Sequence, residues 1–291
     1  MFISDNWQDY ELIDSGDGEK LERWGKTTVV RPEPAAFWPH EPWPETDAFY
    51  TRSGTGGGKW TLRRPLPDKW SIAYGLKNGP KLVFSLSSMG FKHTGVFPEQ
   101  AANWDYLCAE VMRLKESGKS PRLLNLFAYT GGATLAMAAA HPAEIVHVDA
   151  AKGMLGKARD NLKLSRLDDV TVRFLADDAE KFVKREIRRG RRYDGIVLDP
   201  PTYGRGPGGE MWRLEEHLFL LLSQLSQLLP DTGPAFVLLN TYSGLTPGNA
   251  ETCLKLALAQ HGGTYETDEL GLHGTLRGIP LSLGLTTRWT R

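Results

Sequence analysis

Asn125-Leu-Phe-Ala-Tyr-Thr-Gly-Gly joins a short apolar run to a helix-forming segment through a glycine turn. Glycines at such a junction let a ligand approach the backbone. The helix start behind them offers unpaired N–H groups and partial positive charge to a carboxylate or phosphate. Asp149 follows at about the distance at which a nucleotide site places an acid on ribose hydroxyls; the alternative is a cap on the helix that begins near Ala150 and Ala151. Asp177-Asp178 comes next, where one carboxylate could accept a purine amino group and the other cap the following helix. Asp199-Pro-Pro-Thr-Tyr completes the series. Paired prolines continue neither strand nor helix, so this turn can hold a carboxylate and an aromatic face in set positions.

The elements that must position these groups alternate. Apolar runs at 122–127, 144–148, 170–175, 193–198, 235–240, 264–272 and 281–289 predict strands, and helical stretches at 132–140, 151–165, 179–189, 211–229 and 248–261 separate the first six. That order implies a mostly parallel sheet wrapped on both faces. The last two strands lack a helix between them, so an antiparallel hairpin should close one edge. Each polar cluster then falls at the carboxyl end of a strand, where ligands bind in open sheets of this kind. An amphipathic helix at 99–116 precedes the first of these strands. Residues 204–210, rich in glycine, fit a lid over the substrate.

The first ninety or so residues read differently. Short strands are expected at 27–31 and 71–74, and Pro32, Pro34, Pro39, Pro42 and Pro44 punctuate a loop that Trp38 and Trp43 should pin to a core. The expected division is a β-rich N-terminal region at 1–94 and a second domain at 95–291. Net charge is zero over 291 residues, which gives no global signature of a nucleic-acid binder. The distribution is uneven, however: residues 1–47 are acid-rich, whereas 48–95 carry Arg52, Lys59, Arg63, Arg64, Lys69, Lys77, Lys81 and Lys92 against Asp68 alone. Trp60, Trp70, Tyr74, Phe84 and Phe91 are interleaved with them. Basic groups that track phosphates beside aromatic faces are what single-stranded RNA recognition uses; ordinary strands with aromatics inward and lysines outward give the same pattern.

Only Cys108 and Cys253 are present, which excludes a disulfide framework and a four-cysteine zinc site. His93, His217 and His273 lack metal-ligand spacing. The start of the chain has no signal-peptide pattern, and polar residues interrupt the longest apolar helix at 218–229, so a cytoplasmic protein is expected.

Together, Asn125-Leu-Phe-Ala-Tyr-Thr-Gly-Gly, Val148-Asp149, Asp177-Asp178 and Asp199-Pro-Pro-Thr-Tyr resemble the class I S-adenosylmethionine-dependent methyltransferases, and among them the bacterial 23S ribosomal RNA methyltransferases. The resemblance covers roughly 94–291. It implies a Rossmann-like α/β fold, with a mostly parallel seven-stranded sheet and an antiparallel edge hairpin, preceded by the smaller β-rich region. It also implies S-adenosyl-L-methionine as cofactor and large-subunit ribosomal RNA as partner. By resemblance, Phe127, Tyr129, Thr130, Gly131 and Gly132 surround the methionine end, Asp149 takes the ribose and Asp178 the adenine, and Asn125 is a further cofactor-binding residue. Gln100, in Phe97-Pro-Glu-Gln, is a further cofactor contact; relatives often carry an arginine next, where this chain has Ala101.

Relatives that methylate cytosine C5 need a thiolate to attack the ring. This chain has Tyr242 where they carry cysteine, and neither Cys108 nor Cys253 falls at that position. A ring or exocyclic nitrogen is therefore the expected acceptor, with Asp199, Pro200, Pro201 and Tyr203 forming the catalytic turn: Asp199 orients the base and Tyr203 stacks on it. A methyltransferase for a small molecule or protein, and a non-catalytic cofactor- or RNA-binding module, are the alternatives.

Overall fold

The computed structural model describes all residues except 5, 55–56, 68–69, 88–93, 207, 210 and 243. Lys69, Phe91 and Lys92 of the basic aromatic segment, Asp68, His93, and Pro207 and Glu210 of the expected lid therefore lie outside the described residues. The chain begins with β1 (Phe2–Ile3), β2 (Tyr10–Gly16), β3 (Glu19–Trp24), β4 (Thr27–Pro32), β5 (Ala48–Arg52) and β6 (Gly58–Leu62). Strands β2 to β6 form a five-stranded sheet, antiparallel except where β5 joins β4. The Pro-rich loop after β4 is held as its tryptophans predict: Trp38 donates to the Ser15 carbonyl at 2.7 Å and Trp43 to Asp14 at 2.8 Å.

A hairpin follows, β7 (Trp70–Gly75) with β8 (Lys81–Leu86). Its inward residues Ile72, Tyr74, Leu82 and Phe84 are buried. Tyr74 and Phe84 thus cannot stack on bases, and this much of the aromatic pattern is core. The rings run in a continuous column in which Trp24 meets Tyr10, Tyr10 meets Trp7, and Trp7 meets both Tyr74 and Trp104. Offset and edge-to-face pairs of this kind add to the burial they provide. The column ties the N-terminal sheet to α1 (Ala101–Glu116), which carries Trp104. The hairpin is also tied downstream, because the backbone N–H groups of Val83 and Ser85 donate to Ser165 and Asn161.

From there strand and helix alternate: β9 (Arg122–Leu126), α2 (Gly132–Ala138), β10 (Glu144–Asp149), α3 (Lys152–Leu164), β11 (Val172–Ala176), α4 (Ala179–Arg188) and β12 (Gly195–Leu198). A short ribbon of β13 (Tyr203–Arg205) and β14 (Met211–Arg213) precedes α5 (Leu214–Ser226), β15 (Phe236–Thr241) and α6 (Pro247–Ala257). The long strands β16 (Thr264–His273) and β17 (Pro280–Thr290) end the chain. The sheet order is β1-β16-β17-β15-β12-β9-β10-β11. Strands β9 to β12 and β15 are parallel, and β17 runs antiparallel to both its neighbours. The seven expected strands are joined by an eighth, β1, on β16. One expectation fails: 211–213 is extended rather than helical, because Tyr203 and Arg205 pair with Arg213 and Met211 across the ribbon.

Strand order reverses at β9, flanked by β10 and β12, which makes its carboxyl end the switch point where a crevice opens. Gly131 there adopts a left-handed φ of 90°, accessible to glycine without strain. Gly132 is required for a different reason: a Cβ would lie 2.7 Å from the Trp104 ring.

Inside the N-terminal sheet, Arg31 on β4 bonds Glu22 on β3 through two nitrogens at 2.6 and 2.7 Å. Tyr10 donates to the same carboxylate at 2.8 Å. Burial alone would raise the Glu22 pKa, but Arg31 and Lys20 outweigh it and hold it at about 2. Such a pair contributes stability that is complete above the unfolded-state value and lost as pH falls toward 2. Gly132→Ala should lower stability by about 1–3 kcal/mol, since the Trp104 side has no room to yield. Arg31→Met, which leaves Glu22 buried without its partner, should lower it by about 3–5 kcal/mol. Urea unfolding checks both, and the wild-type midpoint should fall between pH 5 and pH 2.

Candidate active site

A cavity of about 590 Å³ lies over the carboxyl ends of β9 to β12, within the size range of sites that hold a drug-sized ligand. A smaller one of about 60 Å³ lies behind the glycine turn. Phe97, Phe127, Tyr129 and Asp199 line both.

The turn after β9 is shaped by an acid. Phe127 and Tyr129 have left-handed φ values of 55° and 48°, unfavourable for residues with a Cβ. Asp149, at the end of β10, compensates: one carboxylate oxygen accepts the Tyr129 N–H at 2.8 Å and the other the Ala151 N–H at 2.8 Å. Burial raises the Asp149 pKa, and those two donors oppose the rise. Each oxygen keeps further lone-pair capacity toward the cavity. The cap of α3 is Ala151, so Asp149 braces the turn rather than serving as a conventional N-cap. Thr130 donates to the Gly95 carbonyl at 2.6 Å, and Asn161 to the Thr130 carbonyl at 3.0 Å, fixing the turn from both sides. Tyr129, by contrast, has a buried hydroxyl with no partner among the described residues, and burial pushes its pKa up to about 12. A buried hydroxyl left unpaired is costly unless a ligand completes it.

Of the two acids after β11, the one expected to take the adenine also supplies the helix cap. Asp178 caps α4 by accepting the Lys181 N–H at 2.9 Å. Asp177 accepts the Asp178 N–H and pairs with Arg185. Both line the cavity.

Opposite them stands Asp199 at the end of β12. Asn240 donates to one oxygen at 2.8 Å, and the Tyr242 hydroxyl faces the other at 3.4 Å. Burial pushes the Asp199 pKa up to about 7; the Asn240 hydrogen bond opposes this, and nearby Glu99 adds to it. Asn240 is itself fixed by Thr286 at 2.9 Å. Gln100 donates to the Tyr242 hydroxyl at 3.1 Å, and the Phe97 ring packs 5.6 Å from the Tyr242 ring. The Pro-Pro turn is clamped to the ribbon, since Trp212 on β14 donates to the Pro201 carbonyl at 2.6 Å and packs 5.1 Å from Phe127.

Of the residues expected at the site, Phe127, Tyr129, Asp149, Asp178, Asp199 and Pro201 meet in the large cavity. Gln100, Asn125, Thr130 and Gly132 line the small one. Asn125 is buried and donates to Thr134. Gly131 lines neither cavity, Pro200 is buried behind the turn, and Tyr203 is 54% exposed between the lining residues Thr202 and Gly204. Sequence reasoning missed further lining residues: Lys20, Arg31 and Pro32 come from the N-terminal sheet, Glu33 from the residue after β4, Glu99 from the segment before α1, and Trp212 from β14. Lys20 and Arg31 occupy buried positions of β3 and β4, and no local sequence pattern marks them as cavity residues. Among the described residues no cluster of three or more His, Cys, Asp or Glu could hold a metal, and no helix is long and apolar enough to cross a membrane.

Residues 69–243, more than half of the chain, match the family model described as S-adenosylmethionine-dependent methyltransferase. Ribosomal RNA large subunit methyltransferase K/L of Chromohalobacter salexigens is 40% identical over 91 residues, 31% of this chain. Ribosomal RNA large subunit methyltransferase I of Enterobacter is 34% identical over 85 residues, 29% of this chain. The aligned stretches span 12% and 22% of those relatives' lengths. A crystal structure of the S-adenosylmethionine-dependent methyltransferase from Agrobacterium tumefaciens superposes with a TM-score of 0.90 at 35% identity, covering 99% of this chain and 92% of that one. The fold is shared with a methyltransferase from Streptococcus mutans, at a TM-score of 0.74 and 17% identity, covering 98% of this chain and 76% of that one. The unpaired Tyr129 hydroxyl, the braced turn and the volume beside Asp149 suit that family's cofactor. On the match over 69–243 and a relative aligned almost end to end, the chain belongs to the S-adenosylmethionine-dependent methyltransferases and uses S-adenosylmethionine as its cofactor.

Proposed function

We propose that the enzyme methylates a ring or exocyclic nitrogen of a base in large-subunit ribosomal RNA. The observation that carries this reading is Asp199: a carboxylate fixed by Asn240 and Tyr242, facing the cavity beside the braced turn, with no cysteine among the lining residues. S-adenosylmethionine supplies an electrophilic methyl group on a sulfonium. Phe127, Tyr129, Asp149 and Asp178 would hold it, with Gln100, Asn125, Thr130, Gly131 and Gly132 shaping the floor beneath. Asp199 then accepts an N–H of the base and aligns the nitrogen lone pair with the methyl carbon. The new N–C bond forms as the C–S bond breaks and a neutral thioether leaves; a proton released from an amino nitrogen passes to Asp199. Proximity and exclusion of water supply most of the acceleration in such a displacement. Pro200 and Pro201 keep the carboxylate in place, and exposed Tyr203 offers a face on which the base or its neighbour stacks. The names of the relatives matched over the central region support RNA as the acceptor class.

One observation favours a second reading, a small-molecule acceptor: Tyr74 and Phe84 are packed core and not a stacking surface. Transfer of labelled methyl groups to undermethylated ribosomal RNA separates the two, because an inert RNA with an active small acceptor selects the second. In the RNA assay, Asp199→Ala should lower single-turnover transfer by about 100-fold or more while cofactor binding persists. Asp199 can take up the released proton only when ionised, so the wild-type rate should rise with pH through about 7 and then level off. Asp199→Asn should remove that inflection, and an unchanged profile in the variant would assign it to another group.

A further inference from the structure

Glu99 is a cavity-lining group that neither the cofactor cradle nor the Asp199 turn employs. It is 4% exposed, lies in the Pro98–Gln100 turn ahead of α1, and lines the large cavity. The cations near it are committed elsewhere: Lys20 to Glu33 at 3.2 Å, and Arg31 to Glu22. Among the described residues no side chain donates to the Glu99 carboxyl, which has only its own backbone N–H. Burial raises its pKa, and Lys20 only partly offsets the rise. Keeping a carboxyl buried without a side-chain partner is costly, and in a cleft it marks a group waiting for a ligand.

Its position is set by contacts on either side. Trp7 donates to the Pro98 carbonyl at 3.0 Å, and the Phe97 ring packs 5.4 Å from Tyr129 and 5.6 Å from Tyr242. Gln100, the next residue, donates to the Tyr242 hydroxyl, which reaches Asp199. Glu99 thus lines the same cavity as Asp199, near enough for its charge to raise the Asp199 pKa. Two carboxyls lining one cavity can accept two N–H donors. An exocyclic amino group supplies such a pair, whereas uracil offers a single ring N–H on its pairing edge.

We propose that Glu99 is a specificity-determining residue for the acceptor, taking one N–H of a nucleobase amino group while Asp199 takes another. The inference rests on the RNA-base reading above. In this arrangement the N-terminal sheet and the segment before α1 carry and bracket the second acceptor of the base-recognition pair. The acceptor is thereby narrowed to adenine, cytosine or guanine.

The test uses the full chain, labelled S-adenosylmethionine and ribosomal RNA from a strain lacking the protein. Glu99→Gln is close in shape, removes the charge and replaces one acceptor oxygen with an NH2 donor, and Glu99→Asp keeps the charge and both acceptors at shorter reach. The expected result for Glu99→Gln is a KM for RNA raised by about 10-fold to 100-fold, the loss of a hydrogen bond to a charged group, with S-adenosylmethionine affinity within about twofold and partial recovery in Glu99→Asp. Mass spectrometry of the wild-type product should find the methyl on an amino-bearing nucleoside. An unchanged KM in Glu99→Gln, a loss of cofactor affinity instead, or a methylated uridine would overturn the proposal. Failure of the underlying reading is distinguishable, since wild-type protein would then transfer nothing to RNA, and the proposal would fall with it. Thermal melts of both variants guard against misfolding; a Glu99→Gln protein that is folded and fully active on RNA refutes the assignment.

Discussion

The Asp149 carboxylate holds the site together. Two residues with side chains, Phe127 and Tyr129, sit in the left-handed region within three positions, a conformation that costs about 1–2 kcal/mol for each such residue. The hydrogen bond from the Tyr129 N–H and the one from Ala151 compensate for that strain and lock the end of β10 to the turn after β9. Two further parts of the cavity are referenced to this brace. Phe127 is placed against Trp212, which clamps the Pro201 carbonyl, and Tyr129 is placed against Phe97, which packs on Tyr242 beside Asp199.

A second constraint comes from the N-terminal sheet, which is a wall of the cavity rather than a separate appendage. The aromatic column from Trp24 through Tyr10 and Trp7 to Trp104 fixes that sheet on α1, and the same Trp104 ring forbids a side chain at Gly132. Packing of the N-terminal sheet and shape of the glycine turn are therefore one problem. The buried Arg31–Glu22 pair lies on this wall. It offers little net stability over an apolar pair of the same shape, and its place beside the cavity suits a polar surface kept there for the ligand.

Legibility from sequence follows locality. The glycine turn, Asp149, Asp178 and Asp199-Pro-Pro can be read because each sits at a strand end where its neighbours in sequence are also its neighbours in space. The strands of the central sheet are readable for the same reason, as continuous apolar runs of a doubly covered parallel sheet. Lys20, Arg31, Glu33 and Glu99 are not, because they reach the cavity from distant parts of the chain and carry no local pattern that says so. Met211–Arg213 reads as the start of a helix, yet its pairing partner across the ribbon, not its own composition, makes it extended. The aromatic and basic alternation around Tyr74 and Phe84 is ambiguous between stacking surface and core, and packing against Trp104 decides for core at those two positions.

On the proposed reading one carboxylate, Asp149, serves both the turn, through the Tyr129 and Ala151 N–H groups, and the cofactor. Calorimetric titration of S-adenosylhomocysteine into wild-type protein and Asp149→Asn tests this directly, with hydrogen exchange at the Tyr129 amide followed alongside. Asp149→Asn retains one acceptor oxygen and loses the charge, so the affinity should fall by about 10-fold or more and the Tyr129 amide should lose protection. An affinity equal to wild type, with the amide equally protected, would contradict that double role.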